Sequence, residues 1–334
     1  MNLSAAQKQL VIDRTGMVAG AGLLLALMIA AGSDPAAFFA QTTIGLTNGA
    51  LVALIALGYT MVYGIIELIN FAHADVFMLG SMLGMQLIVS VGVTAESGAF
   101  AKVAIIVVGL VICMVACAAI NVLIERIAYR PLRNAPPLAP LITAIGVSFI
   151  LSNIAQKLWG PSPVSMPDLL GNGTIFGNVR IKDVFIIAVT APLLYGLTWF
   201  VKHTRQGKAM RATAQDQTAA AIMGIDVNRT ISLTFMLGGL LAGASGVLYA
   251  LVNTTTVWNA GFKNGMFAFT AAVLGGIGNL TGAVIGGVLI GLIGSYSAMY
   301  IGDRWTDVVI FSILVMVLVF RPTGLLGEQS VSRA

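Results

Sequence analysis

Charge is scarce in this chain. Asp, Glu, Lys and Arg make up 9% of its 334 residues, against about a quarter in a soluble globular domain. Apolar residues reach 58% and the mean hydropathy is +0.94. A soluble chain of this length would divide into about two domains; here the bilayer acts as the solvent and one helical bundle is the unit. Cysteine and histidine are nearly absent, at two each. Cys113 and Cys117 share one apolar segment at i, i+4, so helical spacing sets them on one face as small packing residues. With no His or further Cys nearby, a disulfide or a metal site has no support. No set of His, acid and nucleophile stands out, which argues against a hydrolytic site.

A nucleotide-binding loop is missing as well. Such a loop needs spaced glycines followed by Gly-Lys-Ser/Thr to cradle phosphates. Gly207-Lys208 is followed by Ala209, and Lys202 stands where the first glycine belongs. Gly171, Gly173 and Gly177 have the wrong spacing for a dinucleotide fingerprint, and no strand precedes them. The net charge is +5 and the pI about 9.4. In a soluble protein that balance would suggest nucleic-acid binding. Here the basic residues cluster in a few loops beside apolar runs, so membrane orientation is the better cause.

What the chain has is apolar runs near the ~20 residues that cross a hydrocarbon core about 30 Å thick. They lie at 16–32, 42–66, 76–93, 103–124, 141–158, 184–201, 230–252 and 308–320. Residues 16–32 resemble a signal peptide in part, but membrane character returns at once from Gln41 and no sharp cleavage site stands out. They read as a retained first span. Residues 266–301, with Leu274-Gly-Gly-Ile-Gly-Asn-Leu-Thr-Gly282 at their centre, are too long for one span. They read as a broken or re-entrant hairpin, which makes ten crossings if it spans fully. The expected fold is all-α: a polytopic transmembrane bundle of about eight full spans plus the hairpin. Residues 1–15 form the N-terminus, 16–327 a single membrane domain with a polar loop at 202–229, and 328–334 the tail.

Placing the N-terminus in the cytoplasm puts twelve basic residues inside: Lys8, Arg14, Arg126, Arg130, Arg133, Lys202, Arg205, Lys208, Arg211, Arg229, Arg321 and Arg333. Lys102, Arg180, Lys182, Lys263 and Arg304 fall outside, with Lys157 at a span end. The asymmetry follows the positive-inside rule and leaves both termini cytoplasmic. Arg126, Arg130 and Arg133 read as anchors that snorkel to lipid headgroups.

Three features go beyond topology. The first is the stretch 202–229. The positive-inside rule explains its charges, but not its centre, Thr218-Ala-Ala-Ala-Ile-Met-Gly224. Alanine is the best helix former and glycine a common helix stop. A short helix of small residues is a shape that another protein can grip. Arg211, Asp216, Thr218, Ala219, Ala220 and Gly224 are the candidate docking residues. The second is Glu67-Leu-Ile-Asn70-Phe-Ala-His73-Ala-Asp75 between two spans. Ionisable groups at membrane depth are costly and by default suggest function. The alternatives are a polar turn at headgroup level and a helix break beside a translocation path. In the second case Tyr59, Glu67, Asn70, His73 and Asp75 line that path. The third is glycine at intervals of four: Gly278, Gly282 and Gly286, then Gly287 and Gly291, and Gly239 and Gly243. Small residues so spaced let helices approach closely. Plain helix packing accounts for them; a subunit interface or a sliding contact is the sharper alternative.

These stretches resemble a known family. Thr218-Ala-Ala-x-x-x-Gly224 is similar to the coupling segment of ABC importer permeases, with Thr218 in place of their acidic residue. Leu57-Gly-Tyr-Thr-Met-Val-Tyr-Gly64, Ile69-Asn-Phe-Ala-His73, Glu125-Arg-Ile-Ala-Tyr-Arg-Pro131 and Ala144-Ile-Gly146 resemble permeases of branched-chain amino acid ABC transporters. So do Gly224-Ile-Asp-Val-Asn-Arg229, Ala271-Ala-Val-Leu-Gly-Gly-Ile-Gly278 and Pro322-Thr-Gly-Leu-Leu-Gly327. The resemblance runs in order from about Leu46 to Gly327. It departs at Ala74-Asp75, where a Gly-acidic pair is usual, and at Glu67, where a small residue is usual.

The resemblance implies a non-catalytic permease subunit in a bacterial inner membrane, embedded in lipid, with no cofactor of its own. ATP would be bound by two cytoplasmic partner subunits. The other partners would be a second permease and a periplasmic amino-acid-binding protein, which the loop around Gly171 is placed to touch. An amide or urea importer permease of the same superfamily is the alternative within transport. An ion-coupled secondary transporter or channel is the alternative from another class. It would carry buried acids in several spans, and only Glu67 and Asp75 qualify.

Overall fold

A computed structural model describes residues 34–321 and 323–327, apart from Ile69, Asn134, Pro137, Asn172 and residues 176–178. The N-terminus 1–15, the span expected at 16–32 and the tail 328–334 lie outside the described residues.

Eleven α-helices follow one another among the described residues. They are α1 Pro35–Ile66, α2 Ala72–Val91, α3 Ala99–Ile124, α4 Leu138–Trp159, α5 Ile181–His203 and α6 Arg205–Gln215. After them come α7 Gln217–Ile222, α8 Val227–Asn253, α9 Ala260–Gly275, α10 Leu280–Tyr300 and α11 Asp303–Phe320. Among the described residues seven helices are long and apolar enough to cross a membrane: α1, α2, α3 with its continuation to Leu132, α4, α5, α8 and α10. A polytopic helical bundle is therefore the fold.

The chain alternates between two ends of the bundle. One end carries the described residues among 67–71, 133–136, 204–226, 276–279 and 321–327; it is the docking end, named for the docking residues expected at 211–224. The opposite end carries two short antiparallel pairings. Strand β1 Val164–Ser165 pairs with β4 Thr255–Thr256, and β2 Thr174–Ile175 with β3 Val179–Arg180.

Three helices form the core. In their most apolar windows α1 is 83% buried, α8 72% and α2 67%, whereas α3, α4 and α5 are 28%, 17% and 22% buried. The outer three present apolar faces that lipid or another subunit must cover. Helix α1 opens with Asp34 as its cap, whose carboxylate accepts from the Ala37 amide at 3.0 Å, and with proline at the first turn. Its 32 residues span about 48 Å at 1.5 Å per residue.

Without water to drive helix association in a bilayer, close backbone contact must supply it. Glycine makes that contact. A Cβ built on Gly291 of α10 would stand 2.2 Å from the Gly49 amide nitrogen of α1, and one on Gly287 2.6 Å from Ala53. Helix α8 meets α3 in the same way, through Gly239 against Ala118 and Gly243 against Cys113. Both cysteines are buried and free. Gly282 and Gly286 lie against Gly275 and Ala271, closing the arms of the α9–α10 hairpin on each other inside one chain. Gly278 is not on a helix; it sits in the turn with φ 94°.

The structure corrects several boundaries. The hairpin begins at Ala260 rather than 266, and its turn, residues 276–279, reaches the docking end. There the C-terminal segment caps α9. The Leu325 amide donates to the Leu274 carbonyl at 2.8 Å and the Leu326 amide to the Gly275 carbonyl at 3.1 Å, satisfying orphan groups at the helix end. Asn279 caps α10 through the Gly282 amide at 3.0 Å, and its side-chain nitrogen donates to the Leu326 carbonyl at 2.8 Å. The gap left between the apolar runs 266–301 and 308–320 is mostly helix: residues 303–307 already belong to α11, and Gly302, at φ 111°, makes the break. Less loop separates the apolar runs 103–124 and 141–158 than their bounds imply. Helix α3 runs on through a π turn, Glu125–Tyr129, and a 3-10 turn, Arg130–Leu132.

The loop expected at 202–229 is mostly helical. Lys202 and His203 end α5, and Val227–Arg229 begin α8. The residues between them are rich in Ala, Arg, Lys and Gln, which favour helix.

Candidate functional site

Two groups of residues stand apart from the apolar bundle, one buried and one on the docking end. The buried group lies where α1, α2, α3 and α8 meet. His73 is fully buried near the start of α2, its ring 5.2 Å from that of Tyr59 and edge-on at 71°. It occupies the space over Gly58: a Cβ there would stand 2.1 Å from Nε2. The Ile55 carbonyl lies close to the ring, yet neither ring nitrogen makes a hydrogen bond of good geometry. Gly238 of α8 leaves room for both His73 and Asn121. Asn121 donates to the Phe235 carbonyl at 2.6 Å, while its own oxygen is unpartnered.

Asn70 and Asp75 flank this junction. The Tyr129 hydroxyl donates to the Asn70 oxygen at 3.0 Å, and the Asn70 amide nitrogen has no partner. Asp75, only 2% exposed, accepts from Ser148 at 2.5 Å and from Ser152 at 2.7 Å, both on α4. Three buried carboxylates stand among the described residues. Glu125 is paired with Arg133 and Asp183 with Arg180, and Asp75 has no cation beside it. It depends on two hydroxyls and on the first turn of α2, where the helix dipole favours negative charge. Gly261 and Gly265 of α9 pack against Ala74 and Asp75 from the other side. Glu67 lies apart. It is exposed, in the left-handed conformation at φ 53°, and caps α1 by donating its amide to the Tyr63 carbonyl at 2.8 Å. The sequence stretch 67–75 is thus one surface residue followed by a buried polar junction. Buried polar groups are normally satisfied, and those left over mark a place where another arrangement or water completes the bonds. A crevice of about 10 Å³ beside Tyr59, Tyr63 and Phe269 has room for one water at most.

The second group is α6 and α7. The Thr204 hydroxyl caps α6 through the Gly207 amide at 3.0 Å, and Asp216 caps α7 through the Ala219 amide at 2.9 Å. Arg211 donates to the Val201 carbonyl at the end of α5. Met210 and Thr213 face inward and are buried. Gln217 donates to the Ile65 carbonyl at 3.1 Å, tying the segment to the end of α1. Of the small residues in α7, Ala220 is buried at 4% exposure, while Thr218, Ala219 and Ala221 face out. Ile222 and Met223 are each 80% exposed, and Gly224 turns the chain at φ 84°. A firmly capped, short element with two large apolar side chains exposed on its surface has the form of a docking knob.

Residues 41–318 match the family described as "Branched-chain amino acid transport system / permease component". The chain belongs to this permease family. It is 39% identical over 303 residues to the high-affinity branched-chain amino acid transport system permease protein BraD of Pseudomonas aeruginosa, covering 89% of this chain and 98% of that protein. The corresponding protein LivH of Escherichia coli is 39% identical over 307 residues, covering 89% and 97%. A probable branched-chain amino acid permease LivH of Methanocaldococcus jannaschii is 27% identical over 286 residues, 83% of this chain and 89% of that protein. No solved structure matches the permease.

Several residues of these two sites carry no signal in the permease sequence. Ser148 and Ser152 lie far from Asp75 in sequence, and their i, i+4 spacing in an apolar run is the only hint of a shared target. Ile222 and Met223 read as continuations of apolar sequence; only their exposure marks them.

Proposed function

We propose that the permease is the translocating subunit of an ATP-driven importer for branched-chain or related amino acids, and is itself non-catalytic. The observation that carries the reading is the docking knob Ile222–Met223, braced on buried Ala220 and tied through Gln217 to α1, the central helix. A push on this knob passes directly into the core. The names of BraD and LivH support the substrate class. The proposed setting is a bacterial inner membrane with the docking end and both termini in the cytoplasm. There two ATP-hydrolysing subunits, which bind the nucleotide, engage α6 and α7. A second permease stands alongside, and a periplasmic amino-acid-binding protein delivers substrate at the opposite end. This chain supplies no cofactor.

In the mechanism, closure of the ATPase pair tilts α1 against α2 and α8. The junction of Tyr59, Asn70, His73 and Asn121 lies between the moving helices, and its unpartnered atoms gain or lose partners as they shift. Asp75, fixed to α4 by Ser148 and Ser152, is the pivot. The test is uptake in proteoliposomes holding the full complex. Leucine uptake that needs ATP and the ATPase subunits is the expected result. Transport by this chain alone, driven by an ion gradient, overturns the reading. Uptake of urea or short amides in place of leucine reassigns the substrate.

A further inference from the structure

Helices α3 and α8 approach so closely at Gly239 and Gly243 that their outer flanks leave an apolar groove of about 430 Å³. Val115, Ala119 and Leu123 line it from α3, Met236 and Leu240 from α8, and Arg126 closes one end. Val115, Leu123 and Met236 are exposed on the outside of the bundle.

The groove has the dimensions of one membrane leaflet. Lys102 and Arg126 are twenty-four residues apart on one continuous helical span, about 36 Å at 1.5 Å per residue. That slightly exceeds a hydrocarbon core of about 30 Å, so both charges sit at headgroup level. Val115 lies midway between them, at the bilayer centre. The groove therefore runs from the midplane to the headgroups on the docking side, about 17 Å along α3, the depth of one acyl chain. A protein partner has no reason to stop at the midplane; a lipid does.

Charge completes the fit. Among the described residues Arg126 and the next exposed arginine, Arg130, take part in no ion pair, whereas Arg133 is bound to Glu125. Arg126 lines the groove, and Arg130 follows four residues further along the same helical span, beyond the lining residues. Basic sites between transmembrane helices on one leaflet are suited to anionic headgroups.

We propose that the α3–α8 groove holds an anionic phospholipid, one acyl chain lying along Val115–Leu123 and the phosphate on Arg126, with Arg130 beside it. The lipid seals the seam between α3 and the core helix α8.

Native mass spectrometry of the purified complex, after exchange into mixed phosphatidylglycerol and phosphatidylethanolamine, tests this. Retained phosphatidylglycerol in preference to phosphatidylethanolamine is expected. Arg126→Gln should lower its retention about fivefold, the value of one basic residue at an anionic surface. Ala119→Trp fills the groove from its exposed side and should remove the lipid while the complex stays assembled. Equal retention of both lipids, or unchanged retention in both variants, overturns the proposal. So does a photocrosslink from a benzophenone side chain placed at Ala119 to the second permease, which would make the groove a protein interface. Displacement by inorganic phosphate with no loss in Ala119→Trp would show an ion site without an acyl chain, and overturns it as well.

Discussion

The His73 ring occupies the volume that any side chain at Gly58 would need, with Nε2 only 2.1 Å from the position of a Cβ there. The contact joins α1 to α2 at the point where the polar junction begins. Gly58→Ala therefore forces a fully buried ring to move, and overpacking of this kind costs about 1–3 kcal/mol. His73→Ala removes the obstacle. Thermal unfolding of the complex should show Gly58→Ala destabilised and Gly58→Ala/His73→Ala less so than the sum of the single changes, the mark of coupled neighbours. Additive effects would mean that the two residues do not share this space.

Glycine 291 gives a sharper contrast. Its hydrogen faces the backbone of Gly49 at a distance that no flexible side chain can relieve, whereas Gly109 on α3 has nothing within 4 Å of an added Cβ. Gly291→Ala should separate α1 from α10 and abolish the folded, membrane-inserted form. Gly109→Ala should be neutral or stabilising by up to about 1 kcal/mol, since glycine is the weaker helix former. Expression and monodispersity in detergent read both. Equal behaviour of the two variants would refute the packing.

Much of this architecture was legible in the sequence because a membrane leaves few options. Apolar length marks the spans, basic residues gather at one end, and glycines at intervals of four mark close helix contacts. The hairpin turn is legible in Gly276 and Gly278, whose positive φ values L side chains rarely adopt. What stayed hidden depends on contacts distant in sequence. Residues 125–132 look like a loop, because Arg126 and Arg130 read as headgroup anchors past the end of a span and Pro131 interrupts a helix ladder, yet Glu125 is drawn inside by Arg133 and Ser232 and holds the helix together. Residues 67–75 look like one polar cluster. Only the left-handed turn at Glu67 separates a surface residue from the buried Asn70, His73 and Asp75. The docking knob is equally obscure, since Ala220 and Ile222 differ in burial by their angle on one turn of α7 and not by their chemistry.

The Glu125–Arg133 pair offers a stability test outside the junction. Glu125 is fully buried, accepts from Arg133 and takes a second bond from Ser232 at 2.7 Å; Arg133 also donates to Asn228 at 2.6 Å. Arg133→Met leaves the carboxylate buried and uncompensated. Such a change costs about 3–5 kcal/mol in a sealed site, and the lower figure applies because Arg133 is partly solvated. Glu125→Gln/Arg133→Met, which removes the charge altogether, should recover much of the loss in unfolding experiments. A double variant as unstable as Arg133→Met alone would rule out charge burial as the cause.

The docking knob makes the most direct functional prediction. Ile222 and Met223 are exposed while Ala220 beneath them is buried, so the knob can be changed without touching the core. Ile222→Asp and Met223→Asp should leave membrane insertion and thermal stability unchanged. The exposed apolar area they remove is the area an ATPase cleft would cover, and anchor residues of that kind contribute about 2 kcal/mol or more. A loss of 2 kcal/mol corresponds to about thirtyfold weaker binding of the ATPase subunits. ATP hydrolysis should persist in the ATPase subunits while uptake falls. Changes beneath the knob act differently. Gly224→Pro cannot adopt a φ of 84°, because the proline ring fixes φ near −65°; it should disorder the end of α7, and a bulky residue at Ala220 should lift the helix off α8. Both should uncouple hydrolysis from uptake, but with a measurable loss of stability that the surface variants do not show. If the four variants transport normally with the ATPase bound, force reaches the permease by some other element than α7.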